Sequence, residues 1–329
     1  MTAIDILSID HDMPWRPWAV FYFLLIGASV GAALLAVYAR WTKSGEGRGA
    51  LMAATALAVA APLPLLADLH QPARFLHFYL SFATDSVMWW GSWLLPLYIG
   101  SVVALAVVSA LRLRTRLETL LYAAVGLFGI GILGYTAGEM TIVAARPLWH
   151  TVAFPVVLTL TALIAGAGAT LLFDVVRGEP GRGETGLGCR VVAAGSALGL
   201  VVMGLWMLTD PAMATLALEH EPLALLGGLL GLGLALPAAL ALVAGQSRTG
   251  RALAGLAAVF GAFLFRWELF TGAQLMSKTE SAFFGHASLT AADTLRAAAG
   301  SAGVLVLAIL AVIILFTVLA PRGGRQTHA

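Results

Sequence analysis

Residues 50–72 read ALMAATALAVAAPLPLLADLHQP. Residues 50 to 67 pass without a charge, and then Asp68 and His70 fall within three positions. A bilayer core takes about 20 apolar helical residues to cross, so the apolar stretch is one crossing long and the polar residues begin where it stops. The same arrangement recurs along the chain. Apolar runs fill almost the whole sequence, and ionisable residues collect at one set of ends, as in Tyr135-Thr136-Ala137-Gly138-Glu139. The pattern predicts an all-α protein, a polytopic membrane bundle whose chemistry sits at one face.

Composition points the same way. The chain is 60% hydrophobic and 11% charged, with mean hydropathy +0.91, against roughly 25% charged residues in a soluble domain. A net charge of +2 with short, scattered arginine clusters offers no stripe for nucleic acid. One cysteine, Cys189, excludes an internal disulfide, a cysteine-ligated iron–sulfur cluster and a cysteine zinc site. Residues 1–13 carry Asp5, Asp10 and Asp12 and no lysine or arginine, the opposite of a signal-peptide n-region. The first span is therefore expected to be retained.

Nine spans are predicted: 18–39, 50–67, 87–111, 119–138, 151–173, 191–208, 222–244, 252–276 and 303–320, with eight as the alternative if the last does not cross. Thirteen Lys and Arg fall in the segments 40–48, 112–116, 177–190, 248–251 and 322–325, and six in the alternate set. By the positive-inside rule the first set is cytoplasmic. This puts the N-terminus outside and the C-terminus inside, in a bacterial cytoplasmic (inner) membrane. An odd number of spans follows. The whole chain, 1–329, reads as a single integral membrane domain. Its basic, Gly-rich segment 177–190 divides five spans from four and is a candidate boundary between two packed bundles. Prolines 62, 64, 96, 155 and 237 are expected to kink their spans. Gly27/Gly31, Gly134/Gly138, Gly195/Gly199 and Gly227/Gly231 are expected to mark close helix packing.

Haem is the first cofactor to weigh. His11, His70, His77, His150, His220, His286 and His328 all lie in loops, at span ends or in the tail, so no pair faces across a helix interior. Methionine in an apolar helix is usually core filler. No haem and no metal are expected in this chain.

Ionisable residues inside a membrane cost about 2.5–3.5 kcal/mol each on insertion scales and are functional candidates. Asp68 ends the second span and Glu139 the fourth, at the same face. Tyr135 is one turn before Glu139, so the two share a helix face. Arg266 lies about 21 Å into the eighth span at 1.5 Å per residue. His11 and His70 fall near the same level. A phenol and a carboxyl on one helix face suit a quinone oxygen and its proton. Each residue also has a structural reading: Asp68 as a cap for the helix that follows it, Arg266 as partner of Glu139 or Glu268, His70 as a wetted loop residue. Segment 70–83 reads as an amphipathic helix on the outer surface, roofing a pocket or anchoring a loop.

These residues also carry a resemblance. Ala67-Asp68-Leu69-His70-Gln71-Pro72, followed by Ser86-Val87-Met88-Trp89-Trp90-Gly91-Ser92-Trp93, resembles the D-L-G-R-P and S-x-M-x-x-G-x-W patterns of the polysulfide-reductase membrane-anchor (NrfD-like) family. Tyr135-Thr136-Ala137-Gly138 is similar to its Y-T-G motif and Ala145-Arg146-Pro147-Leu148-Trp149 to its A-R-P-x-W. Phe265-Arg266-Trp267, with Gly272 and Gln274, is similar to its late arginine helix. The matches run in order from about 18 to 280. His70 and Gln71 depart from the pattern, and Arg74 stands near the missing arginine.

The resemblance implies a cofactor-free membrane subunit of a respiratory oxidoreductase that binds a quinone (menaquinone or ubiquinone) near the outer face. His11, Asp68, His70, Tyr135, Thr136, Glu139 and Arg266 would form that site, with Tyr135, Glu139 and Asp68 reacting. Electrons would pass to an iron–sulfur subunit, or a multihaem cytochrome, docked outside. A molybdopterin catalytic subunit of the polysulfide, thiosulfate, tetrathionate or arsenate reductase type would lie beyond. Two rivals stand beside this. A secondary transporter or proton channel would hold its polar groups near the midplane, and a purely structural anchor would only pair them.

Overall fold

In a computed structural model of the protein, the described residues are 15–44, 47–113, 115–178, 184–220, 223–243, 247–275 and 289–319. Among them nine helices are long and apolar enough to cross a membrane, and no strand occurs. The chain is a multi-pass, all-helical membrane protein. Each predicted span coincides with a helix, although the last begins at Ala292 rather than near 303.

The elements are α1 (Pro17–Thr42), α2 (Arg48–Ala60), α3 (Pro62–Asp68), α4 (His77–Leu80), α5 (Val87–Ala110), α6 (Arg116–Thr141) and α7 (Ala153–Arg177). They continue as α8 (Glu184–Thr209), α9 (Pro211–Thr215), α10 (Leu236–Val243), α11 (Arg248–Trp267), α12 (Ala273–Leu275) and α13 (Ala292–Val318). π-Helical segments cover Leu216–His220, Leu223–Ala235 and Glu268–Gly272.

Local sequence explains most of the punctuation. Proline opens α1, α3 and α9, where its missing N–H would have been unpaired anyway. Ser247 Oγ accepts the Gly250 N–H at 2.9 Å to cap α11. Asp210 Oδ1 accepts the Ala212 and Met213 N–H groups at 3.0 and 3.2 Å to cap α9. Gly178, at φ +71°, closes α7 in the left-handed region. Pro62 separates α2 from α3, so the second span is broken there. Pro96, by contrast, lies inside a continuous α5.

Two helices organise the core. α1 has 89% of its apolar window buried, against 22% for the peripheral α13. α7 packs on α1, α8 and α11, so elements on both sides of 177–190 share one core. The α1–α7 seam is backbone-tight. A Cβ on Gly31 would lie 2.2 Å from the Ala162 carbonyl oxygen, and one on Gly166 would lie 2.2 Å from the Ala32 nitrogen. Ser29 ties three helices together: its hydroxyl donates to the Ala54 carbonyl and pairs with the Tyr98 hydroxyl, both at 2.8 Å.

Three expectations need correction. A Cβ on Gly134 would meet no atom within 4 Å, and one on Gly138 would meet only Val87 at 4.0 Å. Gly227 likewise meets nothing, and Gly231 meets only the Leu226 carbonyl of its own helix. Those two pairs face outward, unlike Gly31 and Gly195. Segment 70–83 is also not one helix. A 3-10 turn at Pro72–Arg74 and the four-residue α4 share it, and Phe82, at φ +45°, turns the chain through the left-handed region just after α4.

Candidate functional site

A cavity of about 480 Å³ opens where α1 begins, α3 and α6 end and α5 starts. Small-molecule sites fall in the range of roughly 300–1,000 Å³. Most of the wall is apolar: Leu65, Leu66 and Leu69 from α3 and its exit, Phe75 and Phe78 from the surface segment, Met88 and Leu95 from α5. The polar lining residues are Asp68, His70, Ser92, Tyr135 and Glu139, with the phenols Tyr22 and Tyr79.

Tyr135 and Glu139 share a face of α6, as their spacing requires, and both line the cavity. Glu139 is only 6% exposed. Its Oε2 is buried with no hydrogen-bond partner among the described residues. Such an oxygen carries a desolvation cost of about 1–3 kcal/mol until a donor reaches it. The Tyr135 ring lies against Gly91: a Cβ there would stand 2.1 Å from the ring carbon Cζ. That contact explains a glycine four residues into α5. Gly91→Ala must displace the ring, an overpacking cost of roughly 1–3 kcal/mol. The variant is expected to unfold at a lower temperature in detergent than the wild type; an unchanged midpoint would show that the Tyr135 ring moves aside freely.

Asp68 serves the site differently from expectation. It does not cap the helix after it. Its Oδ1 accepts the Arg16 backbone N–H at 3.2 Å, at the residue that precedes α1. It therefore caps α1, which has no side-chain cap of its own. Losing such a cap costs about 0.5–2 kcal/mol. Asp68→Ala is expected to lower the thermal unfolding midpoint in detergent, whereas Asp68→Asn, which keeps the acceptor, should hold it near wild type. Equal losses in both would show that the charge, not the cap, supports the fold.

The remaining sequence candidates divide. His70 lines the cavity and is exposed. Thr136 does not line it; its hydroxyl donates to the Ile132 and Leu133 carbonyls of its own helix at 2.9 and 3.1 Å. His11 lies outside the described residues. Arg266 is fully buried and also away from the cavity. It pairs with neither Glu139 nor Glu268. Its Nε donates to the Phe23 carbonyl at 2.9 Å, and its Nη1 to Thr161 Oγ1 and the Ala262 carbonyl at 3.1 and 3.2 Å. Gly27 leaves room for it, since a Cβ there would be 2.6 Å from Nη2.

Other motif residues build the wall behind Trp15. Gln274 Oε1 accepts the Trp15 backbone N–H at 2.9 Å, and its Nε2 donates to the Trp15 carbonyl at 3.1 Å and the Phe270 carbonyl at 2.9 Å. Arg146 Nη1 donates to the Gln274 carbonyl at 2.8 Å, and Trp149 Nε1 to that of Leu269 at 2.6 Å. Burial pushes the Arg146 guanidinium below its ordinary value. Trp15, Tyr22 and Tyr79 are not marked by the sequence, because nothing local distinguishes an aromatic that lines a cavity from one that fills a core.

The chain matches the family described as polysulphide reductase, NrfD, over residues 8–278. It belongs to that family. Within it, the chain is 34% identical to a tetrathionate reductase subunit of Salmonella typhimurium (strain LT2), with 85% of each chain covered. The motifs of this NrfD-family chain thus separate by role. Asp68, Gly91, Tyr135 and Glu139 meet at the cavity, while Arg146, Trp149, Arg266 and Gln274 hold helices and backbone in place.

Proposed function

We propose that this protein is the quinone-reactive membrane subunit of a multi-subunit reductase. It oxidises a quinol at the Tyr135–Glu139 cavity and passes the electrons to an iron–sulfur subunit docked on the outer face, ahead of a molybdopterin catalytic subunit. The likeness to a tetrathionate reductase subunit supports the reductase direction and makes a sulfur oxyanion the first terminal acceptor to try. The observation that carries the reading is the unpartnered Glu139 Oε2, buried at the edge of an otherwise apolar cavity. A quinol hydroxyl fits it as donor, the Tyr135 hydroxyl can orient the same oxygen, and the apolar walls suit the ring and tail. Oxidation releases two electrons and two protons per quinol, and Glu139 is placed to accept the first proton.

The position of the cavity favours this reading over a transporter, whose binding sites lie near the midplane. Trp15, Asp68, Met88 and Glu139 all stand at helix ends, opposite the ends that carry the basic segments 40–48, 112–116 and 248–251. By the positive-inside rule the cavity then lies on the outer side of a bacterial cytoplasmic membrane.

The test is quinone extraction from purified protein together with photolabelling by an azidoquinone. Label is expected on peptides containing 65–79, 88–95 or 135–139. A protein that takes no label and carries no quinone would leave the structural-anchor reading. Reporter fusions after residues 75 and 148 should report the outer side, and those after 115 and 249 the cytoplasm.

A further inference from the structure

The quinone cavity has a neighbour. A second hollow of about 410 Å³ adjoins it, and Leu69, His70 and Phe78 line both. The rest of its lining is mostly polar: Gln71, Arg74, His77 and Ser81. All four of those residues are polar and exposed and lie past the end of α3, which is the lining of a water-facing vestibule and not of a lipid-facing groove.

A buried carboxyl that takes a quinol proton must hand it to water before the next turnover. The routes are few. Asp68 and Glu139 are each 6% exposed and Tyr22 is 1% exposed. Tyr79 lines the first cavity and not the second. Of the three residues shared by the two hollows, only His70 can gain and lose a proton, and its side chain is exposed. An imidazole accepts at one ring nitrogen and releases from the other.

We infer that His70 is the proton outlet of the quinone cavity, taking protons from its carboxyl side and releasing them into the outer vestibule. This rests on the quinone reading above. Each quinol gives up two electrons to the docked iron–sulfur acceptor and two protons, which leave through His70 in turn. Asp68, Tyr135 and Glu139 line the first hollow with it, and Arg74 and His77 line the second.

The test uses the assembled complex in membranes, with menadiol as donor and tetrathionate as acceptor. His70→Ala and His70→Gln are expected to lower kcat about tenfold or more. KM for menadiol should stay within about twofold, and azidoquinone labelling should match wild type. Added imidazole should restore much of the rate in His70→Ala, where space is left for it. Wild-type turnover in both variants overturns the inference and leaves the quinone site standing. So does a slow rate that imidazole does not move, combined with weaker labelling, since His70 would then only bind the ring. A wild-type complex that takes no label overturns both readings together.

Discussion

Glu139→Gln is expected to slow quinol oxidation by about a hundredfold, within the range for loss of a general base. The substitution keeps the size of the side chain, exchanges one acceptor oxygen for an NH2 donor and removes the ability to take a proton. Oε2 is buried and partnerless among the described residues, so no neighbour is placed to replace it. Tyr135→Phe should be milder. One hydrogen bond to a bound ligand is worth roughly 0.5–1.5 kcal/mol, a loss of about threefold to tenfold. Turnover of menadiol, normalised to the protein present in the membrane, separates the two. A Glu139→Gln variant with normal turnover would move the chemistry away from this cavity. Equal losses in the two variants would mean that Glu139 orients the ring and does not accept its proton.

The second large effect concerns the fold. Gly31→Ala is expected to abolish accumulation of folded protein, while Gly134→Ala should be silent. Both glycines belong to small-residue pairs at four-residue spacing and look alike in the sequence. In the structure a methyl at Gly31 would meet the backbone of α7 at 2.2 Å, and one at Gly134 meets nothing within 4 Å. Backbone atoms in a packed seam cannot rotate away as a flexible side chain can. Relief requires α1 and α7 to separate, at a cost of about 3 kcal/mol or more. Because α1 and α7 sit at the centre of the core, the damage cannot stay local. Detergent-resistant protein in membranes and its thermal midpoint give the comparison. A stable Gly31→Ala variant would show that the seam is looser than these contacts describe.

These two cases mark the limit of what sequence alone conveys. The number of spans, their approximate bounds and the face that carries the polar groups were legible, because crossing a bilayer demands a run of apolar residues of set length and leaves charge at its ends. Tyr135 and Glu139 could be paired from their spacing, since helix geometry brings i and i+4 together. The roles of Asp68 and Arg266 were not legible. Both are costly ionisable residues at similar apparent depth, and sequence gives depth but not azimuth around a helix. Rotation of α11 about its axis turned Arg266 onto α1 and α7, where it bonds Phe23 and Thr161. Thr136, one residue from Tyr135, turned inward to its own backbone for the same reason. Asp68 became the cap of α1 only because α3 ends beside Arg16, a contact across 52 positions. Periodicity and hydropathy are properties of one segment, and they determined which residues gather at the same set of helix ends. Which of them share a cavity depends on how the helices pack side by side, and only the tertiary structure decided that.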